Sequence, residues 1–264
     1  MAQPWFIWNG RDSREMGVIV ETYPPIVYPA ERVETVAIPG RAGFLTRIEG
    51  EAIYDGYLKT IGIANKRSAD PQAIAAWLRG SGELVLGSEP DFRYFGRIIK
   101  EATLERAMPN GYHGSVAFMV QPEKGQEPPE TPTSWESGND APSLYNPGDV
   151  PAKPLITMTA TLGAELGPVF LLSIEEETTG VSVSAPYVRI DLEDRHDLAG
   201  CIFDADTRRI TSLDGTEILD DRATFFHLQN ADLFLPPKQY STITLTAENA
   251  SASAMTIRPR WRWL

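Results

Sequence analysis

Residues 5–46 read WFIWNGRDSREMGVIVETYPPIVYPAERVETVAIPGRAGFLT, and the fold class follows from how they are parsed. The apolar run Trp5–Trp8 ends on Asn9-Gly10, a pair that accepts positive φ and so marks a tight turn. A polar knot follows, Arg11-Asp12-Ser13-Arg14-Glu15, and then a second apolar run, Met16–Val20. Two strands joined by a charged corner is the simplest reading. The stretch closes on Ile38-Pro39-Gly40-Arg41-Ala42-Gly43. Proline presets φ at the first corner of a turn and glycine accepts positive φ at the second, which suits a type II turn. Nothing here is catalytic by composition.

The same alternation runs on. Tyr23-Pro24-Pro25 interrupts pairing, because proline cannot donate to a ladder. Strands are expected over 44–48, 53–63, 84–86, 92–104 and 112–121, the last a clean period-two alternation. One helix is expected from Asp70 to Arg79, with Asp70 as N-cap, Pro71 at its first position and Gly80 as a left-handed stop. Ile74, Trp77 and Leu78 form its apolar stripe. Eight of the 21 prolines fall within residues 122–154; repeated proline favours stiff extended chain, the mark of a linker or an embracing arm. Short strands with turns between them then continue, near 155–162, 169–174, 181–184, 187–192, 201–203, 209–213, 225–228, 240–246 and 255–264. That spacing indicates a β-sandwich. The expected organisation is a mainly β chain: a β-rich domain with one short helix over 1–122, a Pro-rich linker or arm over 123–153, and a sandwich over 154–264.

With 264 residues the chain has ample surface to bury. No run of eighteen apolar residues exists, so no membrane span is expected, and Met1-Ala2-Gln3-Pro4 lacks a basic leader, so no signal peptide is read. Cys201 stands alone and is expected as core filler in a chain made in a reducing cytoplasm. The net charge of −12 is uneven: residues 1–122 hold 13 Lys/Arg against 14 Asp/Glu, and residues 123–264 hold 11 against 22. Counterion release gives such a chain no overall attraction for nucleic acid.

Candidate chemistry is thin. His113, His196 and His227 have no metal-ligand spacing. The run Asp191–Asp197 and the Asp204-Ala205-Asp206 segment both depart from a calcium loop, whose twelfth position would need Glu; twelve from Asp204 is Gly215. Both read as solvated acidic loops. Glu175-Glu176-Glu177 reads as an exposed loop rather than a glycosidase dyad, and no Gly-x-Ser-x-Gly elbow or phosphate loop occurs. No catalytic residue, cofactor or metal is expected. In the tail, Arg258, Arg260 and Arg262 alternate with Ile257, Trp261 and Trp263; the expected form is a closing edge strand with tryptophans in the core and arginines paired to acids.

The Asn-Gly-Arg-Asp-Ser corner, Met16-Gly17-Val18 and the Pro-Gly-Arg-x-Gly turn, at this spacing, resemble the amino-terminal belt domain of the distal tail (Dit) proteins of long-tailed bacteriophages. The resemblance covers residues 6–45, thins to about 121 and partly returns in the second half. There, Asn146-Pro147-Gly148 is similar to the Asn-x-Gly corner that enters the family's galectin-like sandwich. Leu235-Pro236-Pro237-Lys238-Gln239-Tyr240 stands where the family has Leu-x-Pro-Gly-x-Asn, without the glycine and the asparagine. The resemblance implies a non-enzymatic structural protein of the virion, assembled in the host cytoplasm. It implies a hexameric ring at the distal end of the tail that joins the tail tube protein to tail-tip and receptor-binding proteins, with DNA only in transit through an acidic lumen. It places Arg11, Asp12, Ser13, Gly17, Pro39, Gly40, Arg41 and Gly43 in the structural corner and its subunit contacts. The alternatives are a carbohydrate-binding β-sandwich module, although the His/Asn/Arg cluster by which galectins bind sugar cannot be assembled here, and a β-sandwich glycosidase.

Overall fold

The computed structural model describes residues 3–37, 43–47, 53–100, 103–108, 111–162, 166–176, 187–226 and 233–264. Residues 1–128 and 129–263 form two compact units. Of the expected strands, 181–184 lies outside the described residues, as do His227 and part of the expected strand 225–228.

In the first unit, Asn9 and Gly10 both have positive φ, +50° and +73°, and pair Trp8 opposite Arg11 across a two-residue turn. This joins β1 (Phe6–Trp8) to β2 (Arg11–Asp12). The sheet runs through β3 (Val18–Thr22), β6 (Tyr57–Asn65), β7 (Ser81–Leu86), β8 (Glu89–Ile98), β9 (Thr103–Met108) and β10 (Gly111–Gln126). Its order is β2-β1-β7-β8-β10-β6-β3, with β9 also on β10. β4 (Glu34–Ala37) and β5 (Phe44–Arg47) pair separately as a hairpin. The expected single strand over 92–104 is two: Phe118 faces Ile98 and Ser115 faces Thr103, so β8 and β9 follow one another along the same side of β10. β10 runs on to Gln126, into the stretch expected as linker.

One face of this sheet carries Phe6, Trp8, Val18, Val20, Ile61, Ile63, Leu84, Leu86, Val116, Phe118 and Val120, all buried. The helix α1 (Pro71–Trp77) covers it. Asp70 caps α1 by accepting from the Gln72 N–H at 2.9 Å, and Gly80 leaves it at φ +81°. Ile74 and Leu78 are buried. Trp77 stacks on Phe6 at 5.4 Å and donates its indole N–H to the Trp8 carbonyl at 3.2 Å.

The core face also holds a charge. Lys59 shares the parity of Ile61 and Ile63 on β6 and is 1% exposed. Its ammonium lies 3.3 Å from Glu89 and 4.4 Å from the Tyr94 ring centre, and Lys124 approaches the same carboxylate at 3.7 Å. Burial pulls the Lys59 ammonium below the usual lysine range against the opposing pull of Glu89. Burial likewise acts on Glu89, yet the Tyr94 hydroxyl and the two lysines outweigh it and hold the carboxyl low. Glu89 is therefore the keystone of two cations. We predict that Glu89→Ala, which strands Lys59 without its counter-ion, costs about 3–5 kcal/mol. Lys59→Met, which leaves Glu89 paired to Lys124, costs clearly less, because an apolar side chain of similar volume escapes the desolvation penalty of the buried ammonium. Urea unfolding of the two variants checks the order; equal losses would refute it.

In the second unit, two five-stranded antiparallel sheets face one core. One has the order β11-β20-β13-β16-β17, the other β12-β19-β14-β15-β18. The strands are β11 (Thr133–Glu136), β12 (Ser143–Tyr145), β13 (Leu155–Leu162), β14 (Val169–Glu176), β15 (Tyr187–Asp191), β16 (Gly200–Asp204), β17 (Arg209–Ser212), β18 (Ala223–Phe226), β19 (Tyr240–Glu248) and β20 (Ala250–Arg258). Ile156, Met158, Phe170, Leu172, Val188, Phe203, Ile243 and Ile257 meet between the sheets, the interdigitation that defines a sandwich. The expected linker stretch thus supplies β11 to one sheet and β12 to the other. The expected edge strand at the tail is corrected: β20 lies inside its sheet, between β11 and β13. It ends at Arg258, so Pro259 falls just beyond the ladder.

Candidate functional site

The polar knot is a built corner rather than a loose loop. Ser13 is fully buried; its N–H donates to the Phe6 carbonyl at 2.8 Å and its hydroxyl oxygen accepts from the Phe6 N–H at 3.0 Å. The Ser13 carbonyl then accepts from the Val18 N–H at 2.8 Å, which starts β3. Asp12 accepts from the Arg14 N–H at 2.7 Å and from its guanidinium, and the Arg14 contact holds its carboxyl below the usual range. Gly17 sits at φ +69°, and a Cβ there would come within 2.6 Å of the Ala69 Cβ; its conformation and the close approach both require glycine. Arg11 is exposed, with a contact from its guanidinium to the Met16 sulfur at 3.6 Å. The structure therefore brings Arg11, Asp12, Ser13 and Gly17 together. Gly43 lies elsewhere, between β4 and β5, at φ +90° in open space. Pro39, Gly40 and Arg41 lie outside the described residues.

In the second unit the two motifs read separately from the sequence meet. Asn146 is fully buried. Its amide donates to the carbonyls of Val150 and Leu235 at 3.1 and 2.8 Å, and its side-chain oxygen accepts from the Gly148 N–H at 2.8 Å. Its backbone pairs with Lys238 and Gln239. Gly148 is pressed so close to the Arg262 carbonyl that a Cβ would sit 2.1 Å from that oxygen. Lys238, at the place where the family's turn has glycine, takes a left-handed φ of +57°. Its ammonium reaches the Pro147 carbonyl at 2.5 Å and Asp149 at 3.2 Å. These contacts hold a conformation that costs a non-glycine residue roughly 1 kcal/mol.

Comparison with known proteins found no matching family model and no match among curated sequences. Among solved structures, the Dit protein of phage SPP1, described as a paradigm of the hub adsorption apparatus in phages infecting Gram-positive bacteria, superposes with a TM-score of 0.65. The likeness covers 100% of both chains at 14% identity. The chain has the Dit fold. Two structures of the phage P2 baseplate, in its activated conformation with Ca and with Sr, give TM-scores of 0.48 and 0.43 at 9% identity over 97–98% of the chains.

On this Dit fold the acidic loops are occupied by arginines. Arg195 grips Asp197 at 2.9 Å and Glu217 at 2.6 Å, and Arg222 pairs with Asp194 at 2.7 Å. Asp204 pairs with Arg260 at 2.7 Å; burial pushes that carboxyl up, and the guanidinium outweighs it to hold it low. Among the described residues no His/Cys/Asp/Glu group is arranged to hold a metal ion. Cys201 is buried, and burial pushes its thiol up to about 12, far from the thiolate a nucleophile needs. Trp261 is buried and Trp263 packs on the same core, as the tail pattern implied. The pairings that the sequence did not reveal are those of Lys238 and Lys59. Lys59 carried a signal in its parity with Ile61 and Ile63; nothing in the Lys238 sequence marks a left-handed turn.

Two measurements bear on this geometry. Asn146→Ala removes the partner of two carbonyls and one N–H in a buried site, and we predict a loss of about 3 kcal/mol or more, since each unsatisfied group costs about 1–3 kcal/mol; Asn146→Asp, which keeps only the accepting role, should lose stability too. The Arg195 hydrogen bonds hold Asp197 at about 2, against 3.8 for a free aspartate. A depressed folded-state value stabilises above the unfolded one and ceases to as pH falls through the folded one. The contribution of Asp197 is therefore complete above about pH 4 and fades toward pH 2, and Arg195→Gln should flatten that part of the acid-unfolding curve.

Proposed function

We propose that this chain is a distal tail protein: the structural hub that closes the far end of a long phage tail. The observation that carries the reading is the end-to-end likeness to the SPP1 Dit protein, over 100% of both chains. Two motif regions far apart in sequence support it, because each is a built corner: the knot at Ser13 and Gly17, and the Asn146 staple. In this reading the first unit forms a six-fold ring, joined on one side to the tail tube protein and on the other to tail-tip and receptor-binding proteins. The boundaries 1–122, 123–153 and 154–264 would then separate ring, arm and peripheral sandwich. Arg11, Asp12, Ser13, Gly17, Pro39, Gly40, Arg41 and Gly43 would serve the ring as structural and contact residues, without catalysis. Residues 1–122, which would build the conduit, carry 13 Lys/Arg against 14 Asp/Glu, so the ring has no net attraction for the DNA that must pass without adhering.

Light scattering of the purified protein across a dilution series tests the ring. The expected mass is six times 29.2 kDa, with hollow discs in electron micrographs. A chain that remains monomeric at every concentration, and also fails to join a ring when mixed with its tail tube protein, would sink the reading.

A further inference from the structure

Among its described residues the first unit has two surfaces that present apolar side chains to solvent. The first is the chain between β3 and β4, which belongs to no strand over residues 23–30. Ile26 and Tyr28 are 83% and 68% exposed, with Val27 between them. The foot of this ridge is fixed: the Arg32 N–H donates to the Ile53 carbonyl at 2.6 Å and the Asp55 N–H to the Ala30 carbonyl at 3.0 Å. That fastening sets the exposed Val33 and Ile53 beside the ridge. The second surface is a shallow groove of about 620 Å³ on the sheet, lined by Phe95, Ile99 and Met119 together with Glu83, Arg97 and Gln121. Met119 faces Leu58 across the strand pair, and Leu58 and Ile99 are each 46% exposed.

We propose that ridge and groove are the two halves of one interface between copies of this chain: Ile26–Tyr28 of one copy seats in the Phe95–Ile99–Met119 groove of the next. This rests on the ring reading and names the surfaces that close it. Ridge and groove are different places on one unit, so their contact is head-to-tail, the kind that repeats around a ring rather than stopping at a two-fold dimer. Charge argues for a second copy as the occupant. Residues 1–122 nearly balance, 13 Lys/Arg against 14 Asp/Glu, whereas residues 123–264 carry 11 against 22. Copies therefore repel through the second half and meet without that penalty through the first. The borders carry opposite charges: Arg97 lines the groove and Glu31 stands at the foot of the ridge, whereas Glu83 and Arg32 are taken up by Arg93 and Asp55.

The test uses the full chain. Ile26→Asp with Tyr28→Asp, and separately Met119→Asp, should each raise the concentration needed for assembly at least tenfold in light scattering, with circular dichroism unchanged. In a second arm, Ile26→Cys and Met119→Cys are combined in one chain and treated with a short bismaleimide. A ladder of crosslinked copies should appear that neither single variant gives; Cys201 is buried and leaves the background low. If the wild-type chain assembles and the aspartate variants assemble equally well with no ladder, this interface is overturned while the ring stands. A wild-type chain that stays monomeric both alone and when mixed with its tail tube protein overturns both.

Discussion

The first unit depends on one strand. β10 is 16 residues long and pairs with β6 along one edge and with β8 and β9 in succession along the other. An extended backbone has hydrogen-bonding groups on both edges that must find partners when buried, so every strand from β8 to β6 is positioned by this one ladder. Its inward residues, Val116, Phe118 and Val120, supply the surface on which Phe6, Trp8 and α1 pack. Trp8 and Phe118 meet at 5.0 Å, which fixes the opening hairpin to the sheet's middle. The exposed outer face of the same strand carries Met119. Core and proposed contact surface are thus alternate positions of one sequence, separated by nothing more than the pleat.

Where local chemistry dictates local shape, the sequence was readable. Asn9-Gly10 required two positive φ values and has them, Asp70-Pro71 required a helix start and provides one, and the alternation from Tyr112 to Gln121 is a strand. The sandwich was legible because its strands alternate; Ile156, Met158 and Ala160 point inward as their parity demands. What could not be read was partnership. β20 looked like an edge because Pro259 cannot donate to a ladder, but the strand stops one residue earlier and both its sides are taken. The Pro-rich stretch read as a linker or an embracing arm, since proline content reports local stiffness and says nothing of which sheet an intervening Thr-Ser-Trp-Glu will join. The corner residues were legible as a set only through their family pattern. Ser13 shows why: its burial and its exchange with Phe6 depend on a chain reversal that no property of serine announces.

The two corners solve the same physical problem by different means. Each must turn a chain sharply while burying polar backbone. The first uses a hydroxyl and a glycine, Ser13 and Gly17, within five residues. The second uses one amide, Asn146, to hold carbonyls 4 and 89 residues away. Lys238 then tolerates a left-handed backbone because its own ammonium ties the turn to Pro147 and Asp149. Identity of 14% with the SPP1 Dit protein is compatible with one fold for this reason: geometry can be met by substitutes for glycine when a side chain supplies the restraint.

The Pro-rich stretch has a practical consequence. It delivers β11 to the outer edge of one sheet and β12 to the outer edge of the other. A sandwich cut free at Pro154 would lose both and bare the long backbone edges of β20 and β19, which are 9 residues each. Uncovered edges of that length are templates for strand addition by neighbouring molecules. The prolines flanking these strands thus mark the rim of a cuff, one that keeps the sandwich from sticking to its own kind.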